Sequence, residues 1–148
     1  MPAIEKFNNV ADILKSLELV GVGQLRKWRK DEIGWISSTD YYEFGEPDAY
    51  GMKDNVAIYL QSKDESYIED VRLNMNQRNK NHIEESYQFY LKKVDLVFRA
   101  LELNVPEGIN DRIKQKENFI YETDRYIIET NITPDPRTDY YRLIIKTK

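Results

Sequence analysis

The sequence predicts a single α+β domain over residues 1–148, and three observations carry that expectation. Two neighbouring segments near the middle alternate apolar and polar residues with the period of a half-buried strand. The segment after them repeats apolar residues every three or four positions for about five helical turns. The tail then returns to strand-like alternation, and no Gly- and Ser-rich linker divides the chain. Together these predict an antiparallel sheet of about five to seven strands, with a long central helix (about 81–103) packed on one face and an N-terminal helix.

Ile4, Phe7, Val10, Ile13, Leu14 and Leu17 are spaced for one helical stripe, which Gly21 and Gly23 stop. Ile33-Gly34-Trp35-Ile36 and Tyr41-Tyr42-Glu43-Phe44 flank the polar Ser37-Ser38-Thr39-Asp40 and predict two short strands or a hairpin. Glu46 to Gly51 holds a Pro and a Gly and reads as a loop. Val56, Ile58 and Leu60, then Val71, Leu73 and Met75, form the clearest hairpin, across a polar turn at Ser62 to Ser66.

The central helix presents Ile83, Tyr87, Tyr90, Leu91, Val94, Val97, Phe98 and Leu101 along one stripe, with Asn81 and Glu84 as a capping pair and Asn104 and Pro106 at its end. Tyr87, Leu91, Val94 and Phe98 are expected among the most buried residues. A shorter helix over 107–116 turns Ile109 and Ile113 inward. Tyr126, Ile128, Thr130 and Ile132 share one face of a strand. After the loop Pro134 to Arg137, Leu143 and Ile145 face opposite to Ile144.

Composition excludes a good deal of chemistry. With one histidine, His82, and no cysteine, a thiolate nucleophile, a cysteine-based zinc site, a disulfide scaffold and a multi-histidine metal cage are ruled out. His82 with Glu84 matches part of a zinc deaminase signature whose cysteines are absent, and Tyr50 interrupts the calcium-loop spacing of Asp48 to Asp54. The expectation is no catalytic residue, no metal and no cofactor. A carboxylate- and metal-dependent enzyme, built on pairs such as Glu117 with Glu122 or Asp64 with Glu69, is the remote alternative. No apolar run reaches bilayer length, and the first residues lack a basic segment followed by an apolar one, so the expected location is the cytoplasm, away from membranes.

Charge is unevenly placed. From Asp40 to Asp70 nine acidic residues face only Lys53 and Lys63, a formal −7 in a chain whose total is −4. Aromatic residues are interleaved with these carboxylates, and an aromatic body with a polar tip is favoured at protein interfaces. Asp40, Tyr42, Glu43, Phe44, Glu46, Asp48, Tyr50 and Asp54 are therefore the candidate partner-binding residues. The competing reading makes the aromatics strand core and the carboxylates a solvated face. Arg26, Lys27, Arg29 and Lys30 around Trp28 could contact phosphates, but four charges in an acidic chain do not predict nucleic-acid binding; Trp28 is expected to cover a core edge.

Small size, net acidity and an aromatic acidic central segment make the chain similar, in gross character, to bacterial immunity proteins that neutralise toxins and to small chaperones of secreted effectors. The first resemblance implies a non-catalytic inhibitor, monomer or homodimer, that covers a basic partner protein encoded nearby. The second, the alternative, implies a dimer holding an extended client segment.

Overall fold

Alternation in the central hairpin fixes which side chains meet the helix. The computed structural model describes residues 1–148 and contains eight strands: β1 (Arg29–Lys30), β2 (Trp35–Ser38), β3 (Tyr42–Phe44), β4 (Asp54–Ser62), β5 (Asp70–Gln77), β6 (Phe119–Glu122), β7 (Tyr126–Thr133) and β8 (Asp139–Thr147). They form one antiparallel sheet in the order β1-β2-β4-β5-β8-β7-β6, with β3 also beside β4. Three rows cross the four central strands on one face: Val56, Met75, Tyr141 and Ile132; Ile58, Leu73, Leu143 and Thr130; Leu60, Val71, Ile145 and Ile128. Every member is buried. Tyr126 shares this face of β7, half-buried, while Ile144 faces the other way, as its position in the alternation requires.

The long helix, α2 (Ile83–Ala100), closes that face against β5. Tyr87, Tyr90, Val94, Val97 and Phe98 point into the core. Leu91, expected among the most buried, is only half-buried; its neighbour Tyr90 takes the inward position and donates its hydroxyl to Leu73 O at 2.8 Å. That bond matters because a buried phenol without an acceptor is costly. The expected Asn81 cap also differs. Asn79 Oδ1 accepts from Asn81 N at 3.2 Å and caps a 3-10 turn over Lys80–His82, so α2 begins after His82, which makes no side-chain cap bond. Glu102, in left-handed backbone at φ 58°, ends the run.

The N-terminal stripe divides in two. A 3-10 turn (Glu5–Asn8) precedes α1 (Val10–Glu18), and Asn9, extended at φ −125°, accepts from Asp12 N at 3.1 Å. Asn is a strong N-cap, so the helix starts there while Ile4, Phe7, Ile13 and Leu17 still reach one core. The segment around residues 35–44 is not a hairpin. β2 and β3 run along one edge of β4, pairing Trp35 with Ser62 and Phe44 with Asp54 at the extremes. Between them Thr39 N donates to Ile58 O and Thr39 Oγ1 accepts from Ile58 N, both at 3.0 Å. The hydroxyl stands in for a backbone carbonyl, so the polar stretch bridges one interrupted strand.

The shorter helix, α3 (Ile109–Lys114), buries Ile109 and Ile113. β6 at one edge and the two-residue β1 at the other extend the sheet. No helix is long and apolar enough to cross a membrane.

Candidate functional site

Of the eight candidate residues, Glu46, Asp48, Tyr50 and Asp54 gather at one end of the sheet. There the 45–53 loop faces the β5–α2 connection and the β7–β8 turn. Asp48 organises the loop: its Oδ1 accepts from Tyr50 N at 2.8 Å and Met52 N at 2.9 Å, while its own N donates to Met52 O at 2.8 Å. Gly51, at φ 79°, supplies the left-handed step that closes this turn. Asn79 ties the loop down from the other side, donating to Glu46 O at 2.9 Å and Pro47 O at 3.3 Å. Asp54 is buried, its Oδ1 accepting from Arg78 N at 2.6 Å and Asn79 N at 2.8 Å. Tyr50 stands 89% exposed on this pinned loop.

Of the other four, only Phe44 adjoins them, as the cross-strand partner of Asp54. Tyr42 and Phe44 point to the helix side and stack on Phe89 of α2, with ring centroids 6.1 and 3.9 Å away. Tyr42 keeps 41% of its surface exposed, whereas Phe44 is half-buried. Glu43 lies on the opposite face of the sheet beside Asn55, in solvent. Asp40 is exposed and pairs with Arg26. The acidic segment is thus only partly a free negative surface, because Asp48 and Asp54 spend oxygens on backbone amides and Asp40 has a cation partner; Glu43 and Glu46 form no ion pair.

Sequence reasoning passed over the cations that face Tyr50. A cavity of about 570 Å³ lies between the three connections, lined by Tyr50, Met52, Arg78, Lys80, Arg137 and Thr138 among others. The signal lay in topology. Gln77 pairs with Asp139, so the residues just after β5 and just before β8 must meet at one sheet end. Both connections carry basic residues.

Beside Lys80 the polar groups are tightly joined. Asp139 is buried on the helix side and accepts from Lys116 Nζ at 2.7 Å, Lys80 Nζ at 3.1 Å and Asp135 N at 3.1 Å. Burial pushes its carboxyl up, but the Lys116, Asp135 and Lys80 hydrogen bonds outweigh that and hold it below the ordinary carboxylate range. The hydrogen bond to Asp139 in turn raises Lys116, against the effect of desolvation. Next to them Tyr141 donates to Gln77 Oε1 at 3.2 Å and lies 3.0 Å from the Tyr87 hydroxyl, while Gln77 Nε2 donates to Ser86 Oγ at 3.2 Å. Burial, then the Tyr87 hydroxyl, pushes Tyr141 well above the ordinary phenol range, so it stays a neutral donor. These bonds lock the start of α2 to β8, and Lys80 ties the network to the wall of the cavity.

The remaining sequence candidates have local roles. Trp28 stacks on Trp35 at 6.2 Å, packs against the core and donates to Glu65 O at 2.9 Å, so its indole is already engaged. Glu117 pairs with Arg112 and Glu122 with Lys148. Asp64 takes the Ser66 amide and hydroxyl, and Glu69 takes Lys63 N. No three His, Asp or Glu side chains converge as metal ligands. Compared with known proteins, the chain matches no family model, no curated protein and no solved structure.

Proposed function

We propose that the protein works by binding another protein with the sheet end that carries Tyr50, as a cytoplasmic, non-catalytic inhibitor in the manner of an immunity protein. One observation carries this reading: an almost fully exposed tyrosine on a loop whose backbone is held by Asp48, Gly51 and Asn79. Large exposed aromatics are the side chains that most often become interface anchors, and a pre-ordered loop spares the entropy of fixing them on association. The exposed Glu46 adds negative charge to the loop, while Arg78, Lys80 and Arg137 add positive charge beside it. Charge complementarity therefore calls for a partner surface of mixed sign, with basic groups opposite Glu46.

The product of the neighbouring gene is the partner to test, by titration calorimetry and surface kinetics. Tyr50→Ala is expected to cost at least ~2 kcal/mol of binding, mainly through a faster off-rate. Glu46→Lys is expected to slow association at low salt and to matter less as salt rises. Unchanged affinity in a folded Tyr50→Ala protein sinks this reading.

The chaperone reading draws on a different place. β6 is an edge strand with a free side, where Ile120 is 70% and Tyr121 39% exposed, and such an edge can accept an extended client strand. Ile120→Lys separates the two, since it abolishes client holding and leaves Tyr50-dependent binding intact.

A further inference from the structure

We infer that the cavity beside Tyr50 is an anion site that takes the carboxylate of an acidic peptide segment. The inference deepens the proposed function and rests on its premise that this sheet end meets a protein. Arg26, Arg72, Arg99 and Arg112 each have a carboxylate partner. The other five, Arg29, Arg78, Arg125, Arg137 and Arg142, form no ion pair, and two of these, Arg78 and Arg137, line this one cavity.

One carboxylate, Asp48, lines the cavity itself, and its Oδ1 is held by the Tyr50 and Met52 amides. The others are engaged outside it: Asp54 takes the amides of Arg78 and Asn79, Asp135 Oδ1 accepts from Arg137 N at 3.1 Å, and Asp139 divides itself between two lysines. Two arginines and Lys80 therefore face one lining carboxylate. Arg78 Nε is out of solvent and has no acceptor, so its guanidinium is short of bonds before any ligand arrives. Thr138 adds a hydroxyl to the wall.

Two unpaired guanidinium groups in one partly enclosed site favour an oxyanion, because charge-assisted bonds to it gain strength as water is displaced. Tyr50, Met52, Ala49 and Pro136 give the same cavity apolar wall, which suits the methylene stem and flanking backbone of a Glu or Asp in a peptide better than a bare inorganic ion. The partner's feature at this point is therefore acidic, in contrast to the basic groups opposite Glu46.

The test needs no partner. A blocked acetyl-Gly-Glu-Gly-amide peptide, its Gln counterpart and inorganic phosphate are titrated separately into the ¹⁵N-labelled full chain, and amide shifts are followed by NMR. The expected result is saturable shifts at Arg78, Asn81, Arg137 and Thr138 with the Glu peptide only, weakening as salt rises. Arg78→Gln or Arg137→Gln is expected to weaken that binding about tenfold or more. Arg137 is exposed, so its variant keeps the test valid if the half-buried Arg78 variant does not fold. No saturable shift with the Glu peptide, or equal shifts with the Gln peptide, overturns the inference. Tighter binding of inorganic phosphate at the same amides also overturns it, in favour of phosphate chemistry. Failure here together with Tyr50-dependent partner binding removes the carboxylate site alone; peptide binding with a partner indifferent to Tyr50 removes the functional reading instead.

Discussion

The two faces of the sheet are made from alternate residues of the same strands and solve opposite problems. Under α2 the four central strands present three rows that are almost wholly apolar. On the other face their rows read Asn55, Asn76, Tyr140 and Thr133; Ala57, Asn74, Arg142 and Asn131; Tyr59, Arg72, Ile144 and Glu129; Gln61, Asp70, Lys146 and Ile127. One face excludes water and supplies stability; the other hydrogen-bonds and pairs charges across strands, as Asn76 does with Asn55 at 2.9 Å and Lys146 with Glu129 at 3.7 Å. Buried aspartates occur on both faces, Asp54 and Asp139 on the covered side and Asp70 on the open side, and Asp139 and Asp70 show two fates of a buried charge. Asp139, on the covered side, is answered by two lysines and an amide and keeps its proton off. Asp70, on the open side, is answered by Arg72 Nε at 3.1 Å and Gln61 Nε2 at 2.7 Å. For Asp70 burial outweighs those donors, and its carboxyl is pushed up. The balance between desolvation and donors decides the sign; closeness to the helix does not.

The largest expected effect lies on the covered face. Phe98 is fully buried in the last turn of α2. Phe98→Ala is expected to cost ~3–5 kcal/mol, read as a lower denaturation midpoint at unchanged slope. That could exhaust the stability of a domain this size. A loss below about 1 kcal/mol is what a loose site able to collapse gives, and it breaks the contrast between a dry, closely packed face and a wet one.

Next comes Asp139. Asp139→Asn leaves Lys80 and Lys116 without their shared carboxylate, and because both lysines are about a third exposed the cost is expected at about 1–2 kcal/mol, below that of breaking a fully buried pair. The pH dependence follows from both partners. The Asp139 carboxyl is depressed in the folded state, so its contribution is present above the ordinary carboxylate range and is lost as pH falls through the depressed value. Lys116 is raised, so its contribution is present below the ordinary lysine range and is lost as pH rises through the raised value. Unfolding measured across pH should show a gap between wild type and variant that is flat through neutrality and closes at both extremes. A gap unchanged in acid contradicts the ion-pair account.

Asp70→Asn should act with the opposite sign. A carboxyl raised in the folded state weakens folding as pH climbs through the carboxylate range, because the unfolded chain releases its proton first. Removing the charge is expected to stabilise the protein at neutral pH by less than about 1 kcal/mol, with no gain in strong acid. Destabilisation at neutral pH would mean that the Arg72 and Gln61 bonds outweigh desolvation, and the contrast between the two aspartates would disappear.

Which parts could be read from sequence follows the same division. The covered face was legible because aliphatic alternation over 56–60, 71–75 and 126–132 has one physical meaning, burial on one side. The α2 stripe was legible for the same reason. Breaks in regular structure were not. Asn9 divides the N-terminal stripe, and Thr39 carries pairing across a polar stretch that looks like a turn; each works through a single side-chain hydrogen bond that leaves no period. β6 was passed over because Phe119 to Glu122 is short, lies at an edge and shows no alternation. At the site, the loop holding Asp48 and Tyr50 was recognised from its Pro and Gly, but acidity counted along the chain is a poor guide to surface potential. Asp48, Asp54 and Asp40 are consumed locally, while Arg78, Lys80 and Arg137 come from segments 25 or more residues away in the sequence and meet Tyr50 only through strand order.

The smallest expected effect is at His82, the last residue of the 3-10 turn before α2. Its side chain is 46% exposed, forms no cap bond to α2 and holds Nδ1 3.9 Å from Glu85. What His82 does contribute is backbone: its N donates to Asn79 O at 3.2 Å and its O accepts from Ser86 Oγ at 2.9 Å. Alanine keeps both bonds, so His82→Ala should change stability by no more than about ±0.5 kcal/mol. Denaturation at pH 7 and partner titration check the two consequences separately. A large loss of stability would mean that the imidazole, and not the backbone, holds the entry to α2. A folded variant that no longer binds would place the imidazole in the recognition surface, next to the Asn79–Asn81 wall of the cavity.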